Sequence, residues 1–198
     1  ESQYELFQRL NTGGVHLESQ EIRNCLIIML DEKFYEKINE LKVYPNYINS
    51  LPITDEKEKI EYHMELIVRY MIAKHNKIKY EDYNAASAKL PEFLDKEVAR
   101  LIGDKYFDLD KEIALFKKVF DKLQPIFGKK IFKKFNAKKG KFEGPFSSSS
   151  FEAILVGIAE NFENIDWVNI EEKIKGIYSE PTFLKYSEHG IRFLTRFK

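Results

Sequence analysis

Apolar residues in this chain recur at intervals of three and four, the period of a helix with one buried face. Tyr4, Phe7 and Leu10 open the pattern with a short helix that runs into Asn11-Thr12-Gly13-Gly14, and a second helix restarts near Ser19 or Gln20. Ile22, Leu26, Met29 and Leu30, continued by Phe34, Ile38 and Leu41, predict one or two helices from Gln20 to about Glu40. Tyr44-Pro45-Asn46-Tyr47 and Ser50-Leu51-Pro52 interrupt them with turn chemistry. A charged stretch from Asp55 to Glu61 then starts a long helix with Ile60, Met64, Ile67, Val68 and Met71 on one face, ending at Asn76-Lys77. Its acidic start suits the helix dipole, and Thr54 is its cap without a reciprocal Glu.

Residues 80–102 predict another helix, with Pro91 either kinking it or opening its second half at the first turn. Leu109 to Leu123 carries Ile113, Phe116, Val119, Phe120 and Leu123 at helical spacing, and Pro125 is expected to stop it. Gly140, Gly144 and Pro145 mark a loop. Ser149 or Ser150 is the expected N-cap of a helix whose core face is Phe151, Ile154, Leu155, Ile158, Ala159 and Phe162. Ile165 to Ile177 predicts one more, with Trp167 as a packing anchor. No strand-like alternation lasts long enough to suggest a sheet. The expected class is mainly α, a multi-helix bundle-like domain. Its expected divisions are a motif segment (1–24), a helical domain (25–125) and a C-terminal helical region with a Lys-rich loop (126–198).

Composition narrows the picture. The chain has 198 residues, 43% hydrophobic and 32% charged, enough for a sizeable core. No apolar run approaches the roughly 18 residues that span a bilayer, and no signal peptide is visible, so no membrane partner is expected. The single Cys25 cannot form an internal disulfide; it fits a reducing cytoplasm and a buried structural thiol. The four His (16, 63, 75 and 189) lack ligand spacing, and neither a zinc site nor a nucleophile motif is expected. Asp166 with Glu171-Glu172-Lys173 reads as a charged helix face, not as a metal site.

Net charge is zero, from 32 basic and 32 acidic residues, but unevenly spread. Between Phe116 and Phe151 ten lysines stand against Asp121 and Glu143, so that segment carries +8 and the remainder −8. Lys129, Lys130, Lys133, Lys134, Lys138 and Lys139 interleave with Ile131, Phe132 and Phe135. Such a stretch can hold a phosphate backbone while rings stack on bases; equally, the apolar residues can pack and leave the lysines in water. Arg192 and Arg196, at i and i+4 near the basic end, are open to the same two readings.

The second chemical stretch is the glycine loop. Paired glycines leave no Cβ and allow φ > 0, so their N–H groups can converge on an anion, helped by the N-terminus of the next helix. Arg9 and Arg23 flank it and are suited to bidentate phosphate contacts. The same residues also suit a helix that ends at Gly and restarts with an ordinary cap at Ser19. His16 lies beside the loop.

The string Phe7-Gln8-Arg9-Leu10-Asn11-Thr12-Gly13-Gly14-Val15-His16-Leu17-Glu18-Ser19-Gln20-Glu21-Ile22-Arg23-Asn24 resembles the signature of the GmrSD-type family. These are ParB/sulfiredoxin-like proteins of modification-dependent restriction and phage defence. Glu65-Leu66-Ile67-Val68-Arg69-Tyr70 resembles the family's E-x-[IL]-[LV]-R-[FY] helix, Tyr80 to Leu94 its Y-to-F-L stretch, and Phe116 to Gly128 its F-to-F-G helix. The family's upstream D-G-Q-[QR]-R sequence and downstream HNH nuclease strings have no match here. The chain is therefore expected to be the helical, C-terminal part of a larger α/β ParB-like protein.

The resemblance implies a component of an NTP-dependent DNA endonuclease, inactive by itself. Nucleotide binding would be linked to recognition or cleavage of modified or foreign DNA. Arg9, Asn11, Thr12, Gly13, Gly14, Gln20, Glu21, Arg23 and Asn24 would form the phosphate site, with Glu21 more naturally a salt-bridge partner of Arg9 or Arg23 than a base. An NTP with Mg²⁺ would be the cofactor of the full-length protein, although no cofactor site is evident in this stretch. DNA and the missing N-terminal segment or a nuclease domain would be its partners. The competing expectation is a non-catalytic helical scaffold that binds DNA or protein.

Overall fold

The computed structural model describes residues 17–59, 61–75, 77–84, 86–187 and 192–196. The helix expected at Tyr4, Phe7 and Leu10, the glycine loop, His16, Ile60 and His189 lie outside them. The described chain is mainly helical, with a single two-stranded antiparallel sheet among these residues.

Helix α1 (Ser19–Leu30) starts one residue earlier than good cap chemistry suggests. Its N-cap is Glu18, not Ser19, because Glu21 three residues on accepts the Glu18 backbone N–H at 2.7 Å in a capping box. Asp31 then breaks the expected run in two. Its extended backbone closes α1, and its carboxylate accepts the Phe34 N–H at 3.0 Å to cap α2 (Glu32–Leu41). The face of α1 that turns inward is Gln20, Arg23, Asn24, Leu26 and Ile27. Met29 and Leu30, expected in the core, are instead 45% and 48% exposed, because polar residues take the inner positions one and two turns earlier.

Pro45–Ile48 forms a one-turn helix, α3, which buries Tyr47 against Phe116 and Phe120 with ring centroids 5.1 and 5.0 Å apart. The long helix expected from Asp55 is two, α4 (Asp55–Lys59) and α5 (Tyr62–His75). Between them Glu61 takes a left-handed φ of 58°, unusual for a residue with a Cβ. Lys42 holds its carboxylate at 2.7 Å.

The molecule is built around α5. It packs against α1, α2, α6 (Leu90–Ile102) and α8 (Ser148–Glu160), and Met64, Leu66, Ile67, Val68, Tyr70, Met71 and Ile72 are all buried. A helix buried on every side needs apolar residues all round, so the one-sided stripe anticipated for it was too narrow. Pro91 sits in the first turn of α6, where its missing N–H costs nothing. Residues 80–82 form a separate 3₁₀ turn.

Helix α7 (Leu109–Phe127), capped by Asp108, runs through Pro125 and does not stop there. Two more residues bury Phe127, and the turn ends at Gly128, whose φ of 52° favours glycine. The hairpin that follows, β1 (Lys134–Asn136) and β2 (Lys141–Glu143), was not foreseen; its strands are three residues each, too short for alternation to register. Ser147, not Ser149 or Ser150, caps α8, accepting the Ser150 N–H at 3.3 Å. Helices α9 (Ile170–Ile177), α10 (Pro181–Ser187) and α11 (Phe193–Arg196) complete the chain. One cluster of buried apolar side chains runs from Leu26 to Leu194.

Candidate functional site

Three of the motif residues expected at a phosphate site meet inside the protein. Arg23 is fully buried. Its Nε donates to Asp95 Oδ1 of α6 at 2.8 Å, and its Nη1 donates to Gln20 Oε1 and lies 3.6 Å from Glu65 Oε2 of α5. Nη2 reaches the Pro91 carbonyl at 3.4 Å. Gln20 in turn donates to Asn24 Oδ1 at 2.8 Å. Arg23 therefore clamps α1 onto α5 and α6, and Gln20, itself held by Asn24, braces it from within α1. Glu21 stays on the capping box, and the acids that meet Arg23 are Asp95 and Glu65; the other expected pairing of Glu21, with Arg9, lies outside the described residues. Arg9, Asn11, Thr12, Gly13 and Gly14 lie outside the described residues.

The charge chain continues inward. Glu65 accepts from Arg69 Nη2 at 2.6 Å and Nε at 3.0 Å, and Arg69 Nη1 donates to Glu152 Oε1 of α8 at 3.1 Å. Burial works against the Arg69 charge, but Glu65 and Glu152 more than offset it and hold the guanidinium protonated. Signs alternate along Asp95, Arg23, Glu65, Arg69 and Glu152, which joins four helices. Buried ions cost several kcal/mol each to desolvate, and only complete pairing makes such a chain tolerable. The sequence shows the charges interrupting apolar helices; it does not show which acid meets which base. Asp95 and Glu152 were missed for that reason.

Outside that chain, the buried carboxylate of Glu112 on α7 accepts from Tyr70 Oη at 2.5 Å, Lys74 Nζ at 2.7 Å and the His75 ring at 2.9 Å. Burial pushes its pKa up, but the bonds from His75, Lys74 and Tyr70 outweigh it and leave Glu112 below its ordinary range. Among the described residues no group of three or more His, Cys, Asp or Glu is placed to hold a metal ion. Cys25 is half-buried, and burial, with the nearby Glu21 charge, raises its thiol pKa.

The lysine stretch is organised by its aromatic residues. Ile131 and Phe132 are fully buried at the root of the hairpin, with Phe132 4.9 Å from Phe151. Phe135 and Phe142 are register partners and share one face of the hairpin, 5.1 Å apart. Phe142 packs on Phe127 and Tyr178, and the Tyr178 hydroxyl donates to the Lys133 carbonyl at 2.9 Å. The rings thus face the protein. Lys134, Asn136, Lys141 and Glu143 take the other face, and Asn136 Oδ1 accepts the Lys138 and Lys139 N–H groups to close the turn.

Glu143 pairs with Lys139 at 3.0 Å and Lys141 at 3.6 Å. Lys129, Lys130, Lys133, Lys134 and Lys138 have no acidic partner among the described residues. All but the half-buried Lys133 are exposed. Arg192 is exposed, and Arg196 ends α11, which docks elsewhere: Phe193 meets Phe93 of α6 at 5.0 Å. The two basic candidates for DNA contact therefore rest on different elements. A cleft of about 330 Å³ opens between α8 and α10, and sequence reading did not anticipate it.

No protein-family model matches the chain, and comparisons with curated proteins and with solved structures found no match either. No described helix is long and apolar enough to cross a membrane.

Proposed function

We propose that this chain is the helical scaffold of a GmrSD-like defence or restriction protein and contacts the DNA backbone through its Lys-rich hairpin. The observation that carries the DNA contact is the basic stretch on and beside the hairpin: five lysines without acidic partners among the described residues, held off the core by a plug of buried rings. Exposed lysines suit phosphate contact, which positions a protein and reads no sequence. The defence assignment rests on the sequence resemblance. It gains some support from geometry, since the segments that carry it converge: Arg23 of the signature meets Glu65 of the second motif. Nucleotide-linked recognition or cleavage of modified or foreign DNA would belong to the whole protein, with NTP and Mg²⁺ at the Asn11–Gly14 loop.

Fluorescence anisotropy with a short duplex tests the DNA contact. Replacing Lys129, Lys130, Lys134 and Lys138 by Ala is expected to weaken binding at least about tenfold at low salt. Equal affinity in the two proteins would remove the hairpin from the reading. The nucleotide arm is tested by titrating ATP, GTP and CTP with Mg²⁺ into wild type, Arg9→Ala and Asn11→Ala. Arg23 is unsuitable for this purpose, because its replacement would disturb the fold before any ligand is added.

A further inference from the structure

Exposed lysines without acidic partners begin on α7, before the hairpin. Lys118 and Lys122 lie one turn apart on the exposed face of that helix, and neither has an acidic partner among the described residues. The start of the same helix is different, because Lys111 pairs with Asp108 at 2.8 Å and Asp110 takes Lys37 at 2.6 Å. Past Glu112 the only acid of α7 is Asp121, and it is drawn towards α3, where Tyr44 Oη and Asn46 Nδ2 donate to it. Lys117 lies on that side too, its Nζ 5.5 Å from the centre of the Tyr44 ring. The 3₁₀ turn Gly128–Lys130 then carries the exposed Lys129 and Lys130 from the end of α7 to the hairpin. Lys122 Nζ stands 6.0 Å from the ring centre of Trp167, which leads into α9. The hairpin rests on that part of the chain through the Tyr178 hydroxyl and through Lys175, whose Nζ is 5.8 Å from the Phe135 ring. Glu171 and Glu172 of α9 are both paired with Lys175.

We infer that bound duplex DNA runs along α7, from Lys118 across Lys122 to the hairpin, so that the helix adds phosphate contacts and the backbone passes beside Trp167. The inference rests on reading the hairpin as a DNA contact, and it sets the direction of the duplex across it. From Lys118 to the end of α7 is nine residues, about 14 Å of helix rise. That is the axial length of about four phosphates on one strand. The hairpin, with strands of three residues, reaches far less of a duplex by itself. Lysine suits this arrangement, since its ammonium is a point charge on a flexible stem that needs no fixed orientation to meet a phosphate. A phosphate that engages Lys122 changes the charge and polarity beside the indole of Trp167. Trp167 is the only tryptophan of the chain, so its emission reports on this point of the path.

Fluorescence anisotropy of a short labelled duplex over a salt series, with tryptophan emission followed in parallel, tests the path. Lys118→Ala with Lys122→Ala should make the slope of log K against log salt shallower by about 1.8 and weaken binding at least about fivefold at low salt. Lys33→Ala with Lys105→Ala removes the same charge from exposed positions near the opposite end of α7 and should leave the slope unchanged. Emission from Trp167 in the wild type should shift and saturate at the same duplex concentration as the anisotropy. Wild-type binding accompanied by an unchanged slope in the Lys118 and Lys122 variant, by an equal loss in the control, or by flat Trp167 emission would overturn the path along α7 without removing the hairpin contact. Absence of wild-type binding at low salt would instead remove the hairpin reading, and this inference with it.

Discussion

Arg23 shows how far a residue's chemistry depends on what surrounds it. A guanidinium beside a glycine loop suits phosphate, yet here it is fully buried and faces Asp95 and Glu65. Arg23→Ala would take from Asp95 the guanidinium that lies 2.8 Å away and leave Glu65 to Arg69, and urea denaturation should show a loss of about 3–5 kcal/mol. A loss under about 1 kcal/mol would mean that Asp95 relaxes into water. Two other residues, both largely buried, contribute to acid sensitivity. Burial keeps the His63 imidazole neutral and its pKa below the usual 6.5, with Glu58 and Glu61 opposing the shift and Lys42 adding to it. The unfolded chain then takes up this proton more readily, so His63 supports stability above about pH 6.5 and that support fades as the pH falls. Glu112, held below its ordinary 4.5 in spite of burial, stabilises the fold above that pH and loses its contribution only in stronger acid. The urea midpoint should therefore fall in two phases on acidification. His63→Gln should remove the upper phase, and a midpoint unchanged from pH 7 to pH 5 in wild type would contradict this assignment.

At the scale of elements, identical substitutions should have opposite signs. Gly128 ends α7 at a φ of 52° and a ψ of −138°, a conformation that a Cβ disfavours, so Gly128→Ala should cost about 1–3 kcal/mol. Gly157 lies inside α8 with open space at its Cβ position, so Gly157→Ala should add about 0.5–1 kcal/mol. Chemical denaturation of both variants checks the pair, and two shifts of the same sign would refute it. The helices themselves were legible wherever apolar spacing and a good cap coincide, as in α2 with Asp31 and α7 with Asp108. Breaks that depend on tertiary contacts were not. Glu61 leaves the helical conformation with Lys42, just past the end of α2, bound to it, and α7 passes Pro125 where Phe127 is buried. The candidate site was half legible for the same reason. The lysines and the motif residues stand out along the chain, but the hairpin needs Phe127 and Tyr178 behind it, and the role of Arg23 needs Asp95, seventy-two positions away.

For the molecule as a whole, charge is separated: the segment from Phe116 to Phe151 carries +8 on a neutral chain. The fold turns that statistic into a surface by burying Ile131 and Phe132 and leaving Lys129, Lys130, Lys134 and Lys138 exposed on and beside a short hairpin. A field of this kind favours polyanions at low ionic strength and loses its hold within about 10 Å at 0.1 M salt. The measurement that tests the account most directly is the salt dependence of duplex DNA binding. Each phosphate neutralised releases counterions and adds about −0.9 to the slope of log K against log salt. Wild type should give a slope steeper than about −3, and the Lys129, Lys130, Lys134 and Lys138 alanine variant should lose most of it. A wild-type slope near zero, or one that the four substitutions leave unchanged, would contradict a DNA-contacting hairpin.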